Sequence, residues 1–567
     1  MLLPNLDLLC TAPDGVARLR ELILTLAVQG KLVPQDAADE RASVLLQKIR
    51  AEKDGLIADG KIKRDKPLAE IAEEEKPFEL PQGWEWVRLG FAAKKITDGT
   101  HHSPASFSTG DFKYLSAKNI KTWGIDLSDV TYIPAAVHDE IYARCDPEVG
   151  DILFIKDGAT TGILTINTLA EPFSLLSSVG VIKASCGLTS EWLARVMRSP
   201  YFYRAMRAEM TGVAITRVTL SKLNVALVPL PPLAEQSRIV TRVEELMRLC
   251  DALEAKGRLE ATQHAQLVRT LLGALTASTT PEELAENWQR VAQHFDLLLD
   301  RPEAIDALEQ TLLQLAVRGL LVPQDPTDEP ASTLLARIRT EKDRLIAEGK
   351  IKRDKPLPPI TDEEKPFELP VGWEWVPVDA LANVGSGTTP SRDNPAYFIG
   401  GKTPWVTSGE TGQPFIDATE QHVTELALQQ TSLAVHPVGA LIVAMYGQGK
   451  TRGQVAELRI AATTNQACAA ICLVERSYAH RAYVKLVFEK SYDEIRELSA
   501  GGAQPNLNVG KVKSTLISLP PLAEQFRIVT RVTALRGLCA DLRQRLKAAQ
   551  VNQSHLAQAL VESSNAL

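Results

Sequence analysis

The 567-residue chain contains no run of 18 or more apolar residues, so no membrane-spanning helix is expected. Its first residues, MLLPNLDLLCTAPDG, have no basic start and no proper apolar core, so no signal peptide is expected either. The seven cysteines are odd in number, scattered and without a CxxC pair. That pattern suits a reducing, cytoplasmic compartment better than an oxidised framework. An excess of positive charge is also missing. Lys and Arg number 63 against 70 Asp and Glu, giving a net charge of −7 and a pI near 5.9. This counts mildly against nucleic acid, because neutralising phosphates needs Lys and Arg. The acid excess lies between two roughly neutral stretches, 90–228 and 379–517, each of which can still carry a basic face.

Catalytic signatures are absent too. No Asn/Asp-Pro-Pro-aromatic tetrapeptide, no S-adenosylmethionine glycine motif and no nuclease motif is found, which points to binding rather than catalysis. The mix of 45% hydrophobic and 23% charged residues is that of a soluble globular protein, too long for one domain.

What the chain does have is a repeat. LRELILTLAVQGKLVPQDAADERASVLLQKIRAEKDGLIADGKIKRDKPL at 19–68 returns at 308–357 with about two-thirds of its positions identical. Trp84 and Trp373, Pro232 and Pro521, and Ile239 and Ile528 all stand 289 residues apart. The flanks KPFELPxGWEWV and LPPLAEQxRIVTRV are nearly unchanged, whereas the middles have diverged almost completely. A doubled frame with two unlike inserts suggests one scaffold presenting two binding specificities.

The frame reads as helix. Asp14 is placed as N-cap, Leu19, Leu22, Ile23 and Leu26 form one apolar face, and Gly30 is a stop. A second helix runs from about Ser43 to Gly60. After LPPLAEQ a longer helix begins, with Glu235 in its first turn to suit the macrodipole. Ile239, Val243, Leu246, Cys250 and Leu253, and likewise Ile528, Val532, Leu535, Cys539, Leu542 and Leu546, keep a coiled-coil rhythm. The alternative is a single amphipathic helix packed on a domain core. Gly257, Glu260 and His264 interrupt the first seam, so an unbroken one is not expected. In the inserts, DILFIK, ALIVAMY and CAAICLV read as strands, and SEWLARVMRSPYFYRAMRAEM and SYAHRAYVKLVFEKSYDEIRELSA as helices.

Three patterns carry possible chemistry. Ala444-Met-Tyr-Gly-Gln-Gly-Lys450-Thr451 resembles a phosphate-binding loop, but Ala444 replaces its first glycine and Gly453 disfavours a following helix. The matching Lys156-Asp-Gly158-Ala-Thr-Thr-Gly162 has no lysine at the aligned place. His101-His102 and Cys468-x3-Cys472 lack companion metal ligands at the right spacing. Lys61, Lys63, Arg64 and Lys66 of KIKRDKP, repeated at 350–356, would either touch phosphates or form a solvated helix end.

The twice-present LPQGWEWV-like and LPPLAEQxRIV(T)RV flanks resemble the frame of Type I restriction-modification specificity subunits. DGTHHSP…GDILFIKDGATTG…AITRVTLSKL resembles one recognition-domain lineage of that family. GSGTTPSRDNPAYFIGGKTPWVTSGE…YGQGKTRGQVA…ATTNQACAA…GGAQPNLNVGKV resembles another. The resemblance implies an α/β fold: two α/β target-recognition domains separated by long conserved helices forming an antiparallel coiled coil, with an internal pseudo-twofold repeat. The expected division is an N-terminal helical region 1–80, recognition domains 81–230 and 370–519, a helical spacer 231–369 and a C-terminal helix 520–567. Each recognition domain would read half of a split, asymmetric site on double-stranded DNA. The implied partners are two methyltransferase subunits and two translocase-nuclease (restriction) subunits. S-adenosylmethionine, ATP and Mg would belong to those partners, with no cofactor or metal in this chain.

By residue type and loop position, the candidate readers in the first insert are Thr100, His101, His102, Lys118, Asn119 and Lys156. In the second they are Thr388, Ser391, Arg392, Lys450, Arg452, Asn465, Gln466 and Asn506. Asn and Gln can pair bidentately with adenine, and Arg and Lys with guanine or phosphate. The opposing reading is that Asn465, Gln466 and Asn506 satisfy turns. A methylation-only system, a helical scaffold without a DNA role, and an ATPase built on residues 444–451 are the competing functions.

Overall fold

Leu22, Ile23, Ala27 and Val28 fall on one side of the first frame helix, α1 (Gly15–Val28), and are buried. A computed structural model of the chain describes residues 9, 11–62, 67–207, 217–353, 357–447, 451–492 and 507–565. Asp14 stands at the N-cap of α1 but does not cap it. Its backbone is left-handed (φ 58°) and its side chain makes no capping bond. The chain doubles back there so tightly that a Cβ on Gly15 would lie 1.7 Å from the Leu9 carbonyl oxygen. Helix α2 (Ala42–Ala58) buries Ala42, Leu45 and Ile49. Gly30 and Gly60 follow the two helices at positive φ (67° and 68°), the conformation in which glycine closes a helix at no steric cost.

The first insert opens with β1 (Glu85–Arg88) and continues with β2 (Ala93–Asp98), β3 (Phe112–Leu115), β4 (Thr131–Ile133), β5 (Ile152–Ile155), β6 (Leu164–Ile166), β7 (Phe173–Leu175) and β8 (Val179–Ala184). Helices α3 (Ser190–Arg198) and α4 (Pro200–Arg207) and strand β9 (Leu227–Leu230) close it. The expected single helix over 190–210, of which 208–210 lie outside the described residues, is broken at Ser199, whose backbone is extended because a proline follows. Then come α5 (Leu233–Ala277), α6 (Pro281–Gln293), α7 (Pro302–Val317) and α8 (Ala331–Ala347).

The second insert repeats the order. It has β10 (Glu374–Pro377), β11 (Ala382–Ser386), β12 (Thr403–Val406), an additional short β13 (Phe415–Ile416), β14 (Gln421–Val423), β15 (Leu441–Ala444), β16 (Val455–Leu458), β17 (Thr463–Thr464) and β18 (Cys468–Leu473). Helix α9 (Tyr478–Lys490), strand β19 (Leu516–Leu519) and helix α10 (Leu522–Asn565) end the chain.

The two inserts share the order of their main and side sheets. The main sheet runs β2-β8-β5-β6 in the first and β11-β18-β15-β16, with β13 added, in the second. A side sheet runs β4-β3-β7 in the first and β14-β12-β17 in the second, antiparallel on one side and parallel on the other. The apolar runs DILFI and ALIVA do not alternate because the central strands are covered on both faces. Ile152 and Phe154 face the helices and frame, while Leu153 and Ile155 face the side-sheet core.

The chain divides into two units, residues 1–260 with 550–567, and residues 261–549. In the first, Ile239, Val243 and Cys250 of α5 join one core with α1, α2, β1 and α3. In the second, Ile528 and Val532 of α10 do the same with α7, α8 and α9. Further along α10, Leu535, Cys539, Leu542 and Leu546 share a core with Val268, Leu272 and Leu275 of α5 and with α7. Within that unit α10 runs antiparallel to α7, since Arg536 meets Glu309 while Arg543 reaches back to Asp306. The expected seam therefore serves both readings, first as packing on a domain core and then as helix-on-helix packing. Helix α5 continues through Gly257 without a break, although residues 254–263 are all exposed, so the seam lapses where the helix does not.

The motif residues explain the frame's sameness. Glu235 is 2% exposed and accepts bonds from Trp84 Nε1 (2.9 Å) and Gln35 Nε2 (2.8 Å). Glu524 accepts from Trp373 Nε1 (2.9 Å) and Gln324 Nε2 (3.4 Å). Glu235 is thus a buried anchor as well as a first-turn anion, and burial pushes its carboxyl above the ordinary range despite those donors. Gln236 accepts from Thr189 N (2.9 Å) and donates to the Gly187 carbonyl (2.9 Å), tying the insert to the frame.

Candidate nucleic-acid interface

Loops from four strand ends meet at one edge of each insert. In the first, β2 ends at Asp98 and Gly99 follows, where a Cβ would stand 1.9 Å from the Leu175 carbonyl oxygen. The backbone can therefore lie flat on β7. Thr100 N donates to Leu175 O and Ser177 N to Thr100 O, both at 2.8 Å. Ser178 then gathers the other loops, accepting at its carbonyl from Lys156 N (2.8 Å) and at its hydroxyl from Ala117 N (3.3 Å). The second insert builds the same rim. Gly387 would place a Cβ 1.9 Å from Thr464 O, Thr388 N donates to Thr464 O (3.0 Å), and Asn465 N donates to Val406 O (2.9 Å). Met445 N, just after β15, donates to Ala467 O (2.7 Å).

Beneath the first rim lies a charged cluster. Asp98, 2% exposed, takes Lys156 Nζ at 2.9 Å and Arg144 Nη2 at 2.6 Å, and His101 Nε2 stands 3.5 Å away. Arg144 also meets His101 at 2.9 Å. One buried carboxylate between two cations leaves a positive surplus, carried by Arg144 at the surface.

The rim collects most of the candidate readers, but their side chains differ in freedom. His101 and His102 are exposed, and Thr100 Oγ1 closes their turn by accepting from His102 N (3.2 Å). Lys118 is exposed and paired with Asp129 (2.8 Å). Asn119 is buried, accepting from Ser116 N (3.0 Å) and donating to the carbonyls of Asp126 (3.0 Å) and Asp129 (3.1 Å). Lys156 is 1% exposed, enclosed with Asp98. In the second rim, Ser391, Arg392 and Gln466 are exposed, and Arg392 lies over the Trp405 ring at 6.0 Å. Thr388 pairs with Ser432 (2.7 Å) and its carbonyl accepts from Trp405 Nε1 (3.2 Å). Asn465 accepts from Ala467 N (3.0 Å), a turn-closing bond, and Arg452 is half-buried. Lys450 and Asn506 lie outside the described residues, as do Lys63, Arg64 and Lys66, while Lys61 pairs with Asp59 (3.1 Å).

Sequence reasoning missed Asp98, Arg144, Ser178 and the glycines Gly99 and Gly387. The string TDGT offered a signal for two of them, an acid and a glycine directly before the loop. Arg144 comes from a helix 46 residues away, which no local pattern reveals.

The phosphate-loop resemblance does not survive. Gly453 N donates to Ala444 O, Ala444 N to Gln454 O, and the chain continues as strand β16 paired antiparallel with β15. A hairpin offers no helix N-terminus to a phosphate. Cys468 and Cys472 lie in β18, their thiols pushed up to about 12 and about 11 by burial, which disfavours the thiolate a metal needs. Among the described residues no group of three or more His, Cys, Asp or Glu could hold a metal ion, and no helix is long and apolar enough to cross a membrane.

Two heads of one topology and unlike rim chemistry, carried on a doubled frame, define a two-headed recognition protein. Residues 83–263 and 370–552 each match the Type I restriction modification DNA specificity domain. The chain is 37% identical to the Type I restriction enzyme EcoEI specificity subunit of Escherichia coli, over 97% of this chain and 94% of that protein. It is equally identical, over the same shares, to the EcoAI specificity subunit of the same organism. A solved chain from a study of complex assembly and conformational transition of the type I R-M system superposes with a TM-score of 0.48 at 19% identity, over 86% of this chain and 99% of that one. The chain belongs to the Type I restriction-modification specificity-subunit family.

Proposed function

We propose that this specificity subunit is the non-catalytic DNA reader of its complex, acting in the cytoplasm on a split, asymmetric site in double-stranded DNA. Base-edge contacts supply the sequence information and phosphate contacts supply register. Thr100, His101, His102 and Lys118 read from the first head. Thr388, Ser391, Arg392, Lys450, Arg452, Asn465, Gln466 and Asn506 serve the second. Lys156 and Asn119 are reassigned from reading to holding the rim in shape, because their polar atoms are spent inside the protein. Two methyltransferase subunits would carry S-adenosylmethionine, and two restriction subunits would carry ATP and Mg.

The observation that carries the reading is the pairing of identical topology with different rim residues, His-His in one head and Ser-Arg in the other. Identical heads would read a symmetric site, so unlike heads read an asymmetric one. Replacing residues 90–228 with the corresponding insert of a relative, followed by methylome mapping, tests it. One half-site should change and the other persist. Two unchanged half-sites would overturn the proposal.

A further inference from the structure

The two frame copies share their anchoring contacts. Gln35, Trp84 and Glu235 recur as Gln324, Trp373 and Glu524, and the ion pair Arg238–Asp39 (2.6 Å) recurs as Arg527–Asp328 (2.6 Å). These contacts are chemically the same in both units, so none of them distinguishes the first copy's short helix from the second's.

One contact does the opposite. In the first unit the short helix α1 carries the cation: Arg20 meets Asp251 at 2.7 Å and Glu254 at 3.3 Å on α5. In the second unit the short helix α7 carries the anions: Asp306 and Glu309 each meet Arg543 of α10 at 2.7 Å, and Glu309 meets Arg536 at 3.0 Å. Arg20 and Glu309 are equivalent under the 289-residue offset, and so are Glu254 and Arg543. The polarity is reversed on both sides of the same contact, which keeps attraction within each unit and creates repulsion in any crossed combination. Crossed, Arg20 would face Arg536 and Arg543, while Asp306 and Glu309 would face Asp251 and Glu254.

We propose that this inverted pair is a pairing code, which makes each long helix accept the short helix of its own frame copy and reject the short helix of the other frame copy, including one offered by a second copy of this chain. Without it, the short helix of one frame copy would seat on the long helix of the other frame copy in a second chain and link the two chains, because the Gln-Trp-Glu and Arg-Asp anchors fit either partner. Exposed ion pairs add little to the stability of the correct pairing. Their effect lies in discrimination, where each crossed contact loses an attraction and gains a repulsion.

The test co-expresses full-length chains bearing two different tags and measures how much of one tag is recovered through the other, with mass by light scattering. The native chain should show background co-recovery. Arg20→Glu with Asp251→Ala and Glu254→Arg gives the first unit the residues of Glu309, Ala540 and Arg543, and should raise co-recovery about 10-fold. Glu309→Arg with Asp306→Ala, Arg536→Met, Ala540→Asp and Arg543→Glu gives the second unit the residues of Arg20, Ala17, Met247, Asp251 and Glu254, and should do the same by the converse route, so a folding failure of one set leaves the other to decide. Combining both sets restores opposite polarities and should return co-recovery to background. Background co-recovery in either folded single-unit set, or persistent dimers in the combined set, would overturn the proposal. The readout is independent of DNA, so failure of the DNA-reading assignment leaves it intact.

Discussion

Asp98 shows how much depends on a single side chain. Lys156 is fully enclosed with it, so Asp98→Asn leaves a buried ammonium without its anion, at a cost of about 3–5 kcal/mol. Lys156→Met should cost less, because Asp98 keeps Arg144 at 2.6 Å. Urea unfolding of the two variants checks the order, and a Lys156→Met loss equal to or larger than that of Asp98→Asn contradicts it. Lys156 was legible in the sequence as a loop cation but its partner was not, because burial decides whether a lysine reads DNA or holds a loop. Asn119 teaches the same lesson: its type suits adenine, yet three backbone groups claim it.

Glu235 titrates in the opposite sense from a surface acid. Burial raises its carboxyl in the folded chain, so it binds a proton more tightly there than in the unfolded chain. The stability it contributes is complete below the unfolded value and is lost as pH rises through the folded one. Glu235→Gln, which keeps an acceptor for Trp84, escapes that loss. Its melting temperature should match the native protein in acid and pull ahead as pH rises above the ordinary carboxylate range, about 4.3. Thermal melts across the pH range check this, and a gap that widens toward low pH refutes it.

At the scale of elements, helices and strands were largely readable, because their apolar spacing is local. The frame helices, the strands at 152–155, 441–444 and 468–473, and the C-terminal helix fall where their patterns place them. The break at Ser199 and the left-handed turn at Asp14 depend on a following proline and on contact with Leu9, which periodicity does not encode. The equivalence of the two inserts was hidden as well, since topology survives while side chains change. Gly99 and Gly387 mark that equivalence, each lying where a strand end crosses a neighbouring carbonyl. Gly99→Ala would push the His101-His102 loop off β7 and weaken cognate DNA binding about 10–100-fold, the cost of one lost base-pair contact. Gly385→Ala, whose added Cβ meets nothing within 4 Å, should be silent. Gel shifts at fixed salt separate the two, and equal effects would remove the rim from the account.

At the scale of the whole molecule, the doubled frame was evident from the 289-residue offset. Helix α5 leaves the first unit after Glu260, and α10 leaves the second after Ala549, its last turns packing Ala557 and Val561 on Leu9 and Ala12. Each helix therefore contributes residues to both units. The variant carries a heptad after Gly257, in the exposed stretch of α5, and a heptad after Ala549. Seven residues add about 10.5 Å and return the helix to nearly the same face, so both ends keep their packing. If the long helices set the distance between the heads, the gap between methylated half-sites should lengthen by about three base pairs, at about 3.4 Å each. The bases read at each half-site should stay the same, because neither rim is touched. Methylome sequencing of cells carrying the doubly extended chain reads both quantities at once. A gap that stayed at its native length in a folded, methylating complex would show that something other than these helices spaces the heads.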